Sequence, residues 1–162
     1  MNALVKQDAL KIRNSNGIFI LEGRITENAD FSILEEAVEP LRLNMRGVSQ
    51  INSTGVMNFL RFLDRWGARP FEYHECHGPF LEQLTMISVM FGPNGAWGKL
   101  ISFLVPYECM ECGSEKLELW RADDPRLPLA DFEFPVLVCP SCSREMTAAI
   151  GFGDLRGIFE PK

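Results

Sequence analysis

The sequence predicts an α/β protein in which helices pack on a sheet and a small β-rich module follows. Three observations lead there. Over roughly the first hundred residues, short runs with apolar residues at every second position are interleaved with runs at three- and four-residue spacing. Beyond them lie two Cys-x-x-Cys pairs, Cys109–Cys112 and Cys139–Cys142. The segments between the pairs, KLELW and FPVLV, are strand-like and carry no helical period.

Each element follows from its local pattern. Leu10–Arg13 and Gly17–Gly23 flank Asn14-Ser15-Asn16-Gly17, a turn sequence that pairs them as a hairpin. Phe31–Glu39 has apolar residues at 31, 34, 37 and 38 and reads as a short helix stopped by Pro40. Leu41, Leu43 and Met45 alternate with Arg42, Asn44 and Arg46, which makes a strand. Val56, Phe59, Leu60, Leu63 and Trp66 fall on one helical face, and Gly67 ends that helix. Pro70–His74 is the next strand. Pro79–Ile87 is the next helix, with Pro79 in its first turn. Glycine-rich Phe91–Lys99 reads as a linker, and Leu100–Tyr107 as a strand running into the first cysteine pair. The division expected is residues 1–98 for the α/β domain and 99–162 for the cysteine module.

Composition narrows the classes of function. A chain of 162 residues, 46% hydrophobic and 23% charged, has enough for one full core and a small satellite. The N-terminal stretch lacks the apolar region of a secretory leader. The most apolar stretch, Met86–Val105, is broken by Gly92, Pro93, Asn94, Gly95, Gly98 and Lys99, so it lacks the roughly 20 apolar residues of a membrane span. A cytoplasmic protein with no membrane partner is expected. Formal net charge is −6, distributed unevenly. Residues 1–106 carry 10 Lys/Arg and 11 Asp/Glu, whereas residues 107–162 carry 6 and 11. The acidic module is a poor match to a polyanion, because phosphates are contacted mainly by Lys and Arg.

Cys109-Met-Glu-Cys112 and Cys139-Pro-Ser-Cys142, separated by residues 113–138, carry the strongest chemical signal. Two residues between cysteines let one tight turn aim both sulfurs at a single ion, with Zn–S near about 2.3 Å. In a reducing compartment such paired motifs bind metal more often than they form disulfides. One structural Zn²⁺ per chain, held by Cys109, Cys112, Cys139 and Cys142, is the expectation. Four sulfurs close the tetrahedron and leave no position for a catalytic water.

Other features give no catalytic set. Gly92–Leu100 departs from a phosphate-binding loop, with Pro93 at the required first glycine and Leu100 after the lysine. Cys76, between His74 and His77, lacks an oriented base and reads as a buried strand-end thiol. Two histidines in one short segment build no Ser/His/Asp constellation. Met86, Ile87, Val89, Met90, Phe91 and Trp97 form an apolar segment suited to packing between modules, or to a partner groove.

The run from Leu41 through Asn52-Ser53-Thr54-Gly55 to Leu60 resembles the STAS domain of anti-sigma factor antagonists and sulphate transporter tails. In that family an L-x-L-(D/N) strand leads to a D-S-(S/T)-G turn and then a helix with a large apolar face. Gly23, ending GIFILEG, is similar to the family's early strand–glycine step, and the resemblance spans roughly residues 8–90. Asn52 stands where the family has aspartate. The resemblance implies a non-enzymatic signalling or scaffold protein that binds a regulator or kinase-like protein partner. It also implies phosphorylation or partner binding at Ser53, within Asn52, Ser53, Thr54 and Gly55. The turn's own chemistry allows Asn52, Ser53 or Thr54 to cap the following helix. The alternative function is a zinc-ribbon protein associated with nucleic acid or the transcription machinery.

Overall fold

The computed structural model describes residues 9–127, 133–151 and 155–159; the N-terminal residues read for a leader lie in part outside that range. The expected hairpin forms from β1 (Lys11–Ser15) and β2 (Ile18–Ile25), paired antiparallel with Ser15 opposite Ile18. That register leaves Asn16 and Gly17 as a two-residue loop, and both take the positive φ it demands, 52° and 83°. Asn14 Oδ1 accepts the Gly17 amide hydrogen at 2.9 Å and fastens the turn.

The segment expected to be a helix over Phe31–Glu39 is a single 3-10 turn, Ser32–Glu36. Phe31 and Leu34 reach the core and Ala37 packs beside it, whereas Val38 is 82% exposed. Pro40 also disfavours helical geometry at the residue before it.

Strands β3 (Leu41–Ile51), β4 (Phe71–His74) and β5 (Gly98–Leu100) then add in parallel, giving the order β1-β2-β3-β4-β5. Helix α1 (Ser53–Trp66) links β3 to β4, and α2 (Gly78–Met86) lies between β4 and β5. The core face of the sheet presents Leu21, Leu43, Met45, Phe71 and Tyr73 to Phe59, Phe62 and Leu63 of α1 and Phe80 and Leu84 of α2. Charged pairs occupy its other face, Arg42 with Glu72 at 3.5 Å among them.

Strand β3 outruns the alternation that identified it because it is bulged. A Cβ at Gly47 would lie 2.6 Å from Glu22 Cγ and 2.8 Å from the Leu21 carbonyl oxygen, where the β2–β3 register shifts. Beyond that shift the buried positions pass from 41, 43 and 45 to 48 and 51.

Part of the glycine-rich linker is a strand. β5 begins at Gly98, where any Cβ would fall 2.4 Å from the Phe71 ring, so glycine is what lets the chain close onto β4. After Ile101 the chain continues as β6 (Ser102–Glu108). There Cys76 donates its amide hydrogen to the Ser102 carbonyl, and the Leu104 amide donates to the Cys76 carbonyl. The second sheet has the order β7-β6-β9-β8, with β7 (Glu115–Arg121), β8 (Leu137–Val138) and β9 (Glu145–Ala148) all antiparallel to their neighbours. A short helix, α3 (Arg156–Phe159), packs against α2. One buried apolar cluster runs from Phe19 through Phe103, Val105 and Trp120 to Leu155. The architecture is therefore the mixed α/β fold expected, with a β-rich region carrying the cysteines. Among the described residues no helix is long and apolar enough to cross a membrane.

Candidate metal centre

The two cysteine pairs stand on backbone turns of the same design. The Gly113 amide donates to the Cys109 carbonyl at 2.8 Å, and the Cys109 amide to the Ser114 carbonyl at 2.9 Å. Thirty residues on, Ser143 donates to Cys139 at 2.9 Å and Cys139 to Arg144 at 2.7 Å. Both turns need a left-handed residue at the fifth position, and Gly113 (φ 73°) and Ser143 (φ 61°) supply it. β6 delivers the first turn and β8–β9 the second. β9 locks the two together by pairing Thr147 with Glu108 and Ala148 with Tyr107.

This framework brings the four sulfurs of Cys109, Cys112, Cys139 and Cys142 within 4.8 Å of one another. Cys109 Sγ lies 3.5 Å from Cys142 Sγ, and Cys112 Sγ lies 3.6 Å from Cys139 Sγ. A disulfide needs about 2.05 Å, so neither pair is bonded. Sulfurs set tetrahedrally at about 2.3 Å from an ion are about 3.8 Å apart, and the cluster fits that requirement. Cys109 and Cys139 are buried, Cys142 is half-buried and Cys112 is exposed, so the centre sits at the surface with one side in the protein.

The thiols are unequal without an ion. The Ser114 hydroxyl and amide hold Cys112 below the ordinary thiol range. Burial pushes Cys139 up, but the amides of Cys142 and Ser141, with hydrogen bonds from the Cys112 and Cys142 thiols, outweigh it and bring the thiol down to about 6. At Cys142 the Arg144 amide acts downward, yet burial and the three neighbouring thiols drive it up to about 12. Four anionic sulfurs this close repel one another. A divalent cation at their centre removes that conflict, and the sulfur-only donor set suits a thiophilic metal.

The other predicted residues lie elsewhere. Asn52 is the cap of α1, its Oδ1 accepting the Gly55 amide hydrogen at 2.7 Å. Ser53 and Thr54 form the exposed first turn of that helix. Gly55 is buried against β2, and a Cβ there would come within 2.0 Å of the Ile25 carbonyl oxygen. The glycine of this turn is thus demanded by helix–strand contact. Asn58 reinforces the contact by donating to the Ala29 carbonyl at 2.7 Å.

Cys76 is fully buried, and burial pushes its thiol well above the ordinary range. Neither neighbouring histidine activates it. His74 bonds Glu72 at 3.0 Å and His77 bonds the Arg46 carbonyl. The apolar segment divides in two: Met90 and Phe91 are buried, whereas Met86, Val89 and Trp97 are exposed. Sequence reasoning missed β9, the strand that clamps the two turns. Met146 is its one buried residue, with small Ala148 packed beside the core, and so short a run leaves no periodicity to detect. No protein-family model, no curated protein and no solved structure matches this chain.

Proposed function

We propose that this chain is a non-enzymatic signalling or scaffold protein that acts through protein–protein contacts of a STAS-like domain. Its four-cysteine centre holds one structural zinc ion. The observation that carries the reading is the Asn52-Ser53-Thr54-Gly55 turn between β3 and α1, where Asn52 does the capping and Ser53 and Thr54 face solvent. A hydroxyl released from capping is available to a partner or a kinase. A phosphate there would meet the amides and positive dipole end of α1, so it would change surface charge without melting the helix.

Zinc fits the closed sulfur tetrahedron. Bound there, it cross-links the two turns that β6, β8 and β9 bring together. The alternative, a zinc-ribbon protein working with nucleic acid or the transcription machinery, is weakened by the charge of residues 107–162, 6 basic against 11 acidic. Four thiolates and one divalent ion add about −2 to that surface.

The test compares Ser53→Asp with wild type. The tagged wild-type chain is used to isolate a binding protein, whose affinity for both forms is then measured by calorimetry. The reading expects Ser53→Asp to weaken the complex tenfold or more with an unchanged circular dichroism spectrum. Equal affinity for both forms would move the binding surface away from this turn. Metal analysis of protein purified without chelators should give one zinc per chain; iron or no metal would refute that assignment.

A further inference from the structure

The described chain ends on a short segment laid across α2. Leu155 is buried, Ile158 and Phe159 are half-buried, and the Phe159 ring stands 5.8 Å from that of Phe103. Positions 155, 158 and 159 stand at the i, i+3, i+4 spacing of one helical face. The helix that carries the last two, α3, has four residues and is roughly 6 Å long.

Open clefts flank it. On one side lies a cleft of about 590 Å³, walled by Leu84, Phe91, Leu100 and Ile101 together with Ile158 and Phe159. On the other lies a cleft of about 390 Å³, walled by Leu81, Leu104, Pro106 and Ile150 together with Leu155. Thr85 and Met86 line both, so the two clefts are one trough interrupted by the segment 155–159. Met86, 68% exposed, is a flexible thioether at the rim, a side chain that adapts to varied apolar partners. The ends differ in charge. Lys99 lines the larger cleft and Glu82 the smaller; both are exposed, and among the described residues neither is in an ion pair.

We propose that the trough between α2 and the β5–β6 strand is a docking groove for an amphipathic helix of a partner protein. Segment 155–159 occupies its centre as an intramolecular stand-in. The chemistry of the occupant is read from the stand-in: large aliphatic and aromatic side chains at i, i+3 and i+4. An acidic residue toward Lys99 and a basic one toward Glu82 complete the match. One turn of helix gains little from its own backbone, because isolated helices need about 12–15 residues to be even marginal. A longer partner helix reaches from the stand-in's place into both clefts that it leaves open, in the helix-in-groove manner.

The experiment titrates the ¹⁵N-labelled, metal-loaded full chain with a synthetic peptide of residues 151–162 and follows the amide resonances. Wild type is expected to bind weakly, because its own segment competes. The double variant Ile158→Ser/Phe159→Ser, which loosens that segment, is expected to bind at least tenfold more tightly, with shifts at Leu84–Ser88, Gly98–Ile101 and Leu104. Adding Met86→Glu at the exposed rim should weaken that binding tenfold or more. A peptide with alanine at the three apolar positions should produce no shift.

Any of these results overturns the proposal: a folded double variant that binds no tighter than wild type, shifts centred outside the trough, equal binding of the alanine peptide, or a double variant that loses the native spectrum. The last would make 155–159 an integral part of the fold. Wild type sedimenting as a dimer that the double variant abolishes would assign the groove to a second copy of this chain, which also overturns the partner reading.

Discussion

The two sheets of this molecule solve the same problem by different means. In the first, the ring of Phe59 packs against Phe31, Phe62, Tyr73 and Phe80 at 5.3–6.4 Å, and the face of the sheet behind it is almost wholly apolar. In the second sheet and its loops, a number of apolar side chains turn outward beside the buried ones: Leu117, Leu119, Val136, Val138 and Met110 are all 45% exposed or more. The far end of the second sheet thus relies less on apolar burial, and the four sulfurs cluster there. The division is graded along β6. Phe103, Val105 and Tyr107 join the common core, whereas Glu108 beyond them is exposed and lies directly opposite Glu115, a like-charged cross-strand pair. Within one strand the structure passes from apolar packing to the four-cysteine cluster that could hold a metal ion.

The largest expected effect tests that cluster as a clasp. Structural sites of this type bind zinc with apparent free energies of about 10–16 kcal/mol, which is folding free energy for the region they close. Stripping the metal with a chelator should abolish hydrogen-exchange protection in Cys109–Ser114, Cys139–Arg144 and β9 while α1 keeps its protection. Simultaneous loss in α1 would mean that both regions depend on the metal, and the contrast drawn above would fail.

The complementary perturbation is made in the aromatic core. Phe59→Ala removes the ring that four others touch, and such truncations cost about 3–5 kcal/mol. Chemical denaturation should register that loss while metal stoichiometry in the folded protein stays unchanged. A loss under about 1 kcal/mol would show that this core relaxes into the void, contrary to the close packing of protein interiors.

A smaller effect separates two neighbouring residues of the proposed contact turn. Asn52→Ala should cost about 0.5–2 kcal/mol, since it removes the acceptor for the Gly55 amide. Ser53→Ala should change stability by less than about 0.5 kcal/mol, as exposed positions generally do. Thermal melts of the two variants decide it, and a larger effect at Ser53 would restore that serine to a capping role.

These contrasts also explain what could be read in advance. Helix α1 was legible because Val56, Phe59, Leu63 and Trp66 each face the core, so their spacing states the structure directly. The clustering of the four cysteines was legible because two Cys-x-x-Cys pairs announce it in their spacing. What escaped depends on contacts between distant residues. β5 hides in a glycine-rich run because Gly98 answers to the Phe71 ring, 27 residues away in sequence. The second half of β3 escaped because its bulge answers to Glu22 and Leu21 of the neighbouring strand. β9 has one core residue, and α3 four residues in all. The capping role of Asn52 over Ser53 was open until the direction of the Asn52 side chain was seen. Local pattern reports elements that bury a face of their own; it is silent on elements shaped by another's surface.

The smallest effect lies inside the metal centre, between its two turns. They share every backbone hydrogen bond described above, yet the left-handed position is Gly113 in one and Ser143 in the other. A side chain in that conformation costs roughly 1–2 kcal/mol, and glycine gives back roughly 0.5–1 kcal/mol through its greater freedom when unfolded. Ser143→Gly should therefore stabilise the metal-loaded protein by up to about 1 kcal/mol, and Gly113→Ser should destabilise it by a similar amount. Both sites are exposed and no heavy atom lies within 4 Å of a Cβ built at Gly113, so backbone conformation is the only thing changed there. Competition with a calibrated zinc chelator gives the same quantity as a change in apparent metal affinity, up to about fivefold in each direction at 1.4 kcal/mol per tenfold. Opposite signs at the two positions would show that the turns are equivalent in energy as well as in shape. The same sign at both would mean that the second turn uses its serine for something the first does not need, and the symmetry of the clasp would be of shape alone.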